Sequence, residues 1–304
     1  MSKAFFAPNP DRGLVILAGE DRLAFLQGLV SNDVHRLSPA KALYTLLLSP
    51  QGKFLFDLIL AEHEGRILIE GEKQRLGDLL KRLSLYKLRS RISLADAGAE
   101  WASFSLFGPE AISRLGLSAE PGAARAIASG LVFADPRLPA LGARAFLKTE
   151  AAERELAAMG FAAGEPEAYR TLRLSLGVPE NSGDLLPDKS IPLECGMDEL
   201  HAIDWDKGCY MGQELTARTR YRGLVRKRLF PVKIEGKAPT AGAELKLGDI
   251  AAGELRSTNV DGTIGLALLR LEHLDAAQKQ GLTGGGAHVT PIVPDWMKLP
   301  QSAA

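Results

Sequence analysis

The chain has 304 residues, 46% of them hydrophobic and 24% charged, enough for two or three domains with sizeable cores and too apolar for a disordered segment. Its 37 basic and 37 acidic residues cancel, so overall charge gives no reason to expect nucleic acid or a membrane surface, and only local clusters can. Two cysteines, Cys195 and Cys209, are too few for a disulfide scaffold, no run of about twenty apolar residues could span a bilayer, and Met1 to Arg12 lacks an apolar signal core, so a cytoplasmic setting with reduced thiols is expected.

Leu14 to Leu17 has strand length, and Glu20 to Val30 places Leu23, Phe25, Leu26 and Leu29 at helical spacing before the Ser31-Asn32-Asp33 turn cluster. Leu43 to Leu48, Phe54 to Ala61 and Ile67 to Ile69 read as a three-strand meander turning at Ser49 to Gly52 and His63 to Gly65. Lys73 to Leu85 is an amphipathic helix. Strands are predicted at Ser90 to Leu94, Ala102 to Phe107, Leu131 to Phe133 and Ala143 to Leu147, and short helices from Pro109 and Ala151. Glu167 to Leu176 is a stronger helix, closed by Gly177 and Pro179, and Tyr210 to Tyr221 is the next. From Phe230 the texture changes to short strands, such as Phe230 to Ile234, Ile250 to Leu255 and Thr263 to Leu269, between glycine-rich turns, which is the pattern of a small β-barrel. The expected boundary lies near Gly223 to Phe230.

The chemistry is concentrated in Lys207-Gly208-Cys209-Tyr210-Met211-Gly212-Gln213-Glu214. Cys209 is placed at the expected start of a helix, where free N–H groups and the positive helix end favour a thiolate, and Lys207 adds a nearby positive charge. Gly208 and Gly212 permit tight turns or close approach, and Glu214 and Arg218 are spaced to pair on one helix face. An ordinary packing role for Cys209 stands beside this, and is the stronger reading for Cys195. No ligand spacing for a resident metal is present. Seven basic residues, Lys207, Arg218, Arg220, Arg222, Arg226, Lys227 and Arg228, face a single acid, Glu214, between 207 and 228. Such a cluster suits an anionic ligand tail or RNA phosphates, or is a solvated face.

The segment from Lys207 to Glu214, continuing through Leu215-Thr216-Ala217-Arg218-Thr219 and Arg226-Lys227-Arg228-Leu229-Phe230-Pro231-Val232, resembles the signature of the YgfZ-type proteins and their mitochondrial relatives in iron–sulfur cluster assembly. Phe25 to Val34 and Ala42-Leu43-Tyr44 resemble an N-terminal folate-domain pattern, and Arg170 to Gly177 resembles a helix of the T-proteins of the glycine cleavage system. The resemblance implies an α+β, T-protein-like three-lobed ring. Two intertwined folate-binding lobes would span residues 1–225, and a C-terminal β-barrel would span 226–304. It implies a tetrahydrofolate-dependent accessory factor in assembly or repair of iron–sulfur clusters, with client enzymes that include tRNA-modifying ones. Cys209 is then the reactive thiol or transient cluster ligand, and Lys207 tunes it. The folate-binding residues implied are Asn32, Tyr44, Asp57, Arg170, Arg173, Tyr210, Gly212, Gln213, Glu214 and Arg218, and Arg218, Arg220 and Arg222 would favour a polyglutamylated tail. The partners implied are folate and iron–sulfur client or carrier proteins, without membrane or nucleic acid.

Departures from the T-protein pattern bear on the chemistry. Phe56 stands where the aminomethyl-transferring enzymes carry a catalytic carboxylate, leaving only Asp57 of an Asp-Asp pair, and Leu138 to Arg144 lacks the carboxylate of their pterin-contacting loop. A phenylalanine cannot orient or exchange a proton with a folate amine, so glycine cleavage is not expected. A folate-dependent one-carbon transferase and a non-catalytic RNA or protein adaptor are the alternative readings.

Overall fold

The computed structural model describes residues 3–221, 223 and 225–299. The chain forms two compact units, each gathered from separated stretches: Met1–Leu48, Leu55–Tyr169 and Leu200–Met211 make the first, and Ser49–Phe54, Arg170–Glu199 and Gly212–Ala304 the second. The units therefore do not follow a single cut in the sequence. Among the described residues no helix is long and apolar enough to cross a membrane.

The first unit holds two sheets. One has five strands in the order Leu43–Leu48, Phe54–His63, Arg66–Glu72, Arg12–Ala18 and Ser93–Asp96. Leu43–Leu48 is buried along its whole length, so it reads as a continuous apolar run instead of an alternating one. The hairpin that follows pairs His63 with Arg66 across Glu64 and Gly65, whose φ values of 49° and 72° suit the two-residue turn that matches strand twist. Helix Leu76–Lys87 presents Leu76, Leu79 and Leu83 to the core of this sheet, one stripe of a 3.6-residue period.

The other sheet has six strands in the order Ala162–Ala163, Phe5–Pro8, Trp101–Phe107, Ala143–Lys148, Gly130–Ala134 and Ala124–Ile127. Phe5–Pro8 is too short and proline-bearing to read as a strand alone; it is one because it pairs with both Trp101–Phe107 and Ala162–Ala163. In the second unit a closed barrel runs Lys227–Glu235, Ile264–Arg270, Ile250–Thr258, Glu244–Leu247, Leu282–Gly284 and Ala287–Pro291, the last pairing with the first. Phe230, Val232, Ile234, Leu255, Ala267, Leu269 and Val289 belong to its core, and Leu274–Gln280 is a short helix.

The two sheets of the first unit, each with its own apolar cluster, are joined by buried charge. Arg144 of the six-stranded sheet donates through Nη1 to both carboxylate oxygens of Glu70 in the five-stranded sheet, at 2.7 and 2.8 Å. Glu70 also accepts from the Ser103 hydroxyl and lies 3.4 Å from the Arg12 guanidinium, which donates to Asp57 at 2.9 Å. Arg137 grips Asp135 through Nε and Nη2 and reaches the Tyr169 hydroxyl at 3.0 Å, while Arg144 meets Asp135 at 3.3 Å. Burial works against the Asp135 charge, but Arg137 and Arg144 outweigh it and hold its carboxyl below the ordinary aspartate value. Three arginines face three carboxylates, so the cluster is formally neutral.

Breaking such a pair strands a buried charge, whereas removing both partners does not. Glu70→Leu is expected to lower the unfolding free energy by about 3–5 kcal/mol, and Glu70→Leu/Arg144→Met, which leaves two arginines facing two carboxylates, to recover most of that loss. Urea denaturation decides it: a double variant no more stable than the single one contradicts the account.

Candidate functional site

The segment 201–211 is laced onto the 27–33 stretch within the first unit. Ser31 Oγ donates to Ala202 O at 2.6 Å, and the Asp204 amide donates to Ser31 O at 3.1 Å. Asn32 Nδ2 donates to the carbonyls of Tyr44 and His201, both at 2.7 Å. The Asp204 carboxylate then accepts the amides of Asp206 and Lys207, at 2.8 and 3.0 Å, in the side-chain turn that aspartate forms with the backbone ahead of it. Its other oxygen accepts from Arg36 at 3.0 Å. Burial alone would raise this carboxyl; the Asp206 amide, Arg36 and the Lys207 amide outweigh it and hold it below the ordinary value.

Lys207 is the central fastening. Its buried ammonium donates to Gln27 O at 2.8 Å, Val30 O at 2.6 Å and Asn32 O at 2.8 Å. Gln27 ends the helix Arg22–Gln27, where carbonyls lack partners inside the helix and a cation is favoured. Burial pushes the Lys207 ammonium down to about 8, against the opposing pull of Asp33 and Asp204. Four residues on, the Met211 amide donates to Gly28 O at 3.2 Å. The stretch 208–210 is thus an arch with both feet pinned to one short segment. Gly208 and Cys209 are exposed on it, and Tyr210 is buried, its ring centroid 5.1 Å from Lys207 Nζ.

This geometry corrects two expectations. The helix following the arch is Gln213–Tyr221, not one starting at Tyr210, because Met211 and Gly212 form a turn with Gly212 at φ 81°. Cys209 therefore lies ahead of the helix and outside its first turn. Lys207 directs its donors at three carbonyls, so it holds the arch in place and is not free to act as a mobile counter-charge for the thiol. Cys195, by contrast, is buried in the 3₁₀ turn Pro192–Cys195, and burial, with Glu194 adding to it, pushes its thiol up to about 12.

The remaining candidate residues divide between the units. In the first, Asn32 and Tyr44 meet at the hydrogen bond already described and line a cavity of about 230 Å³, together with Arg36, Lys41, Glu120, Pro136 and His201. Asp57 is not available to a ligand: it is buried and held by Arg12. Phe56 beside it is equally buried, with the Arg75 guanidinium 4.2 Å from its ring centroid. In the second unit, Arg170 donates to Thr258 O at 2.8 Å, and Arg173 is locked by Asp184 and Val178 O, both at 2.6 Å. Glu214 and Arg218 pair at 2.9 Å on an exposed face, as their spacing predicts, and such a pair contributes little to stability. Gln213 opens the helix. Gly52, at φ 68°, lets the turn approach it: a Cβ there would meet Gly212 O at 2.8 Å and Leu215 Cβ at 2.9 Å. The basic run is not one solvated patch, since Arg228 is buried against Glu199 and Leu193 O; Arg222 lies outside the described residues. Sequence reasoning reaches Ser31 only as part of a turn cluster and misses Asp204 and Arg36, although an Asp two and three residues ahead of Asp206 and Lys207 is a turn signal visible in the sequence.

Comparison with known proteins now bears on this arrangement. Residues 226–299 match the CAF17 C-terminal beta-barrel domain. The protein named iron–sulfur cluster assembly factor IBA57, mitochondrial, of Mus musculus is 33% identical over a match covering 94% of this chain and 83% of its own; that of Homo sapiens is 32% identical with the same coverage. The chain belongs to the IBA57 family. This narrows the resemblance read from the sequence, which named YgfZ-type proteins together with mitochondrial relatives. The aminomethyltransferase T of the Bartonella henselae glycine cleavage system superposes on 97% of this chain and 87% of its own with a TM-score of 0.75 at 16% identity, so the α+β T-protein fold with its C-terminal barrel is shared. The cytoplasmic expectation is overturned, because these IBA57 relatives are named mitochondrial. Reduced thiols and a polar N-terminal stretch fit more than one compartment and could not discriminate.

Two outcomes follow from the arch. Alkylation by iodoacetamide at neutral pH is expected to modify Cys209 and leave Cys195 intact, because the buried thiol is protonated and unreachable until the chain unfolds; mass-spectrometric mapping of equal labelling at both would contradict this. Lys207→Met should destabilise the protein by about 3 kcal/mol, since three carbonyls lose a charged donor, and amide exchange at 208–211 should accelerate. Unchanged exchange there would remove the clasp from the account.

Proposed function

We propose that this chain is an accessory factor in iron–sulfur cluster assembly in which Cys209 supplies one thiolate ligand to a cluster in transit. The observation that carries the reading is the exposed sulfur on an arch pinned at both feet, in a family whose relatives are named cluster assembly factors. A thiol that only packed would be buried, as Cys195 is. Among the described residues no group of three His, Cys, Asp or Glu is placed to hold a metal, so the other ligands come from a partner protein. Coordination releases the thiol proton to solvent and adds the sulfur to iron, with no change of oxidation state required.

Tetrahydrofolate is part of the same proposal, at the cavity beside Asn32 and Tyr44. The cavity suits the aryl and glutamate portion of a folate: Tyr44 backs it, and of its two cations Arg36 is held by Asp204 while Lys41 pairs with the exposed Glu120, which a ligand carboxylate would replace. It does not fit a catalytic folate site, because Asp57 is committed to Arg12 and Phe56 to the apolar core. The chain's own part in this reading is to bind and orient the ligand, and the one-carbon transferase alternative lacks a carboxylate at Phe56.

In cells lacking their own IBA57 relative, Cys209→Ser is expected to fold, with stability changed by no more than about 0.5 kcal/mol at this exposed position, and to fail to restore iron–sulfur enzyme activity, while Cys195→Ser restores it. A fully active Cys209→Ser would sink the thiol reading. Tetrahydrofolate should raise the melting temperature of the purified chain, by the mass action of a ligand bound only to the folded state, and Lys41→Ala should reduce that rise. The absence of any shift at millimolar folate would count against the cofactor.

A further inference from the structure

Beside the arch lies an exposed apolar and cationic surface. Helix Leu76–Lys87 turns its leucines Leu76, Leu79 and Leu83 inward, yet its end exposes Leu85 (69%), Tyr86 (42%) and, just beyond, Leu88 (87%). The Tyr86 hydroxyl donates to Met211 Sδ at 3.6 Å, which ties this apolar group to the foot of the Cys209 arch. Around it the sequence Lys81-Arg82-Leu83-Ser84-Leu85-Tyr86-Lys87-Leu88-Arg89-Ser90-Arg91 carries five cations and no acid, in a chain whose charges cancel overall. Lys81, Arg82, Lys87 and Arg89 are exposed, and no ion pair engages them among the described residues. Leu88 is also strained. The Ser90 amide donates to Lys87 O at 2.8 Å, closing a turn in which Leu88, at φ 43° and ψ −113°, occupies the position that glycine prefers. Folding gains nothing from a large apolar side chain in that conformation and in water.

We propose that this helix end is the docking surface for an acidic protein partner, the one that brings the remaining ligands of a cluster bound at Cys209; the proposal rests on the reading of Cys209 as a cluster ligand. An apolar centre with a charged rim is the anatomy of a protein interface, in which Leu85, Tyr86 and Leu88 are the anchors. The unpaired cations select an acidic mate and steer its approach. RNA would have no use for the two leucines. A membrane would need a longer apolar face, and the one this helix has is turned inward.

The test places the photo-crosslinking residue p-benzoylphenylalanine at position 85 of the full chain in living cells. The expected result is one predominant adduct whose mate, once identified and purified, is acidic, holds an iron–sulfur cluster and binds the full chain. Lys87→Glu/Arg89→Glu should then weaken that binding by about tenfold or more, most strongly at low salt. Leu88→Gly should weaken it too while raising rather than lowering the melting temperature, a combination that a structural role for Leu88 would not give. A mate that is not acidic, or affinity unchanged by the charge reversal, overturns the proposal. So does charge-dependent binding of the chain to phosphatidylglycerol vesicles or to bulk tRNA in place of a protein. Cys209→Ser should leave docking intact. Loss of enzyme rescue in that variant with docking insensitive to charge reversal refutes the surface alone, and full rescue with docking confirmed refutes the thiol reading alone.

Discussion

The candidate site depends on one buried cation. Lys207 delivers its three donors to the carbonyls of Gln27, Val30 and Asn32, which the end of a short helix and the following turn leave without helical partners. A serine or glutamine there could satisfy one or two of these carbonyls; an ammonium on a four-carbon stem reaches all three. Because the Met211 amide returns to Gly28, Cys209 is carried on a segment with both ends fixed to the same support. A ligand on a fixed support approaches a metal without the entropy of ordering a loop, and this is what distinguishes the arch from a surface cysteine on a flexible turn.

Charge elsewhere in the first unit works in the opposite sense. Arg12, Arg137 and Arg144 are matched by Asp57, Glu70 and Asp135, so the polar interior is closed on itself. Residues that would be candidates for folate chemistry by type alone are committed to holding two sheets together. Phe56 adds to this: its ring lies in the apolar core under the Arg75 guanidinium. The fold of an aminomethyltransferase is present.

Much of the architecture was legible because its signals are local. The meander from 43 to 72, the helix Pro166–Ser175 and the long barrel strands all follow from apolar period and turn residues. Phe5–Pro8, Ala124–Ile127 and Leu282–Gly284 were not, because strands of three or four residues owe their existence to partners distant in the chain. At the site, the segment 207–214 stands out by composition, and Cys209 and Lys207 can be singled out within it. The role of Lys207 cannot be read from it, since its acceptors lie some 180 residues earlier, as close as 2.6 Å in space. The helix start was misplaced for a related reason: Gly212 adopts a left-handed turn that ends the arch before the helix begins. Asp57, Arg170 and Arg173 have the residue types of a binding set, but their hydrogen bonds are made within the protein.

The central claim is that the Cys209 sulfur bonds iron. Selenocysteine at position 209 puts a spectroscopically distinct atom at that position and nowhere else in the chain. Selenium-edge X-ray absorption on the protein isolated without air from cells actively assembling clusters then reports the neighbours of that atom directly. The account predicts an iron scatterer in the first shell of selenium. A shell of carbon alone, from a protein that still supports iron–sulfur enzymes, would contradict it.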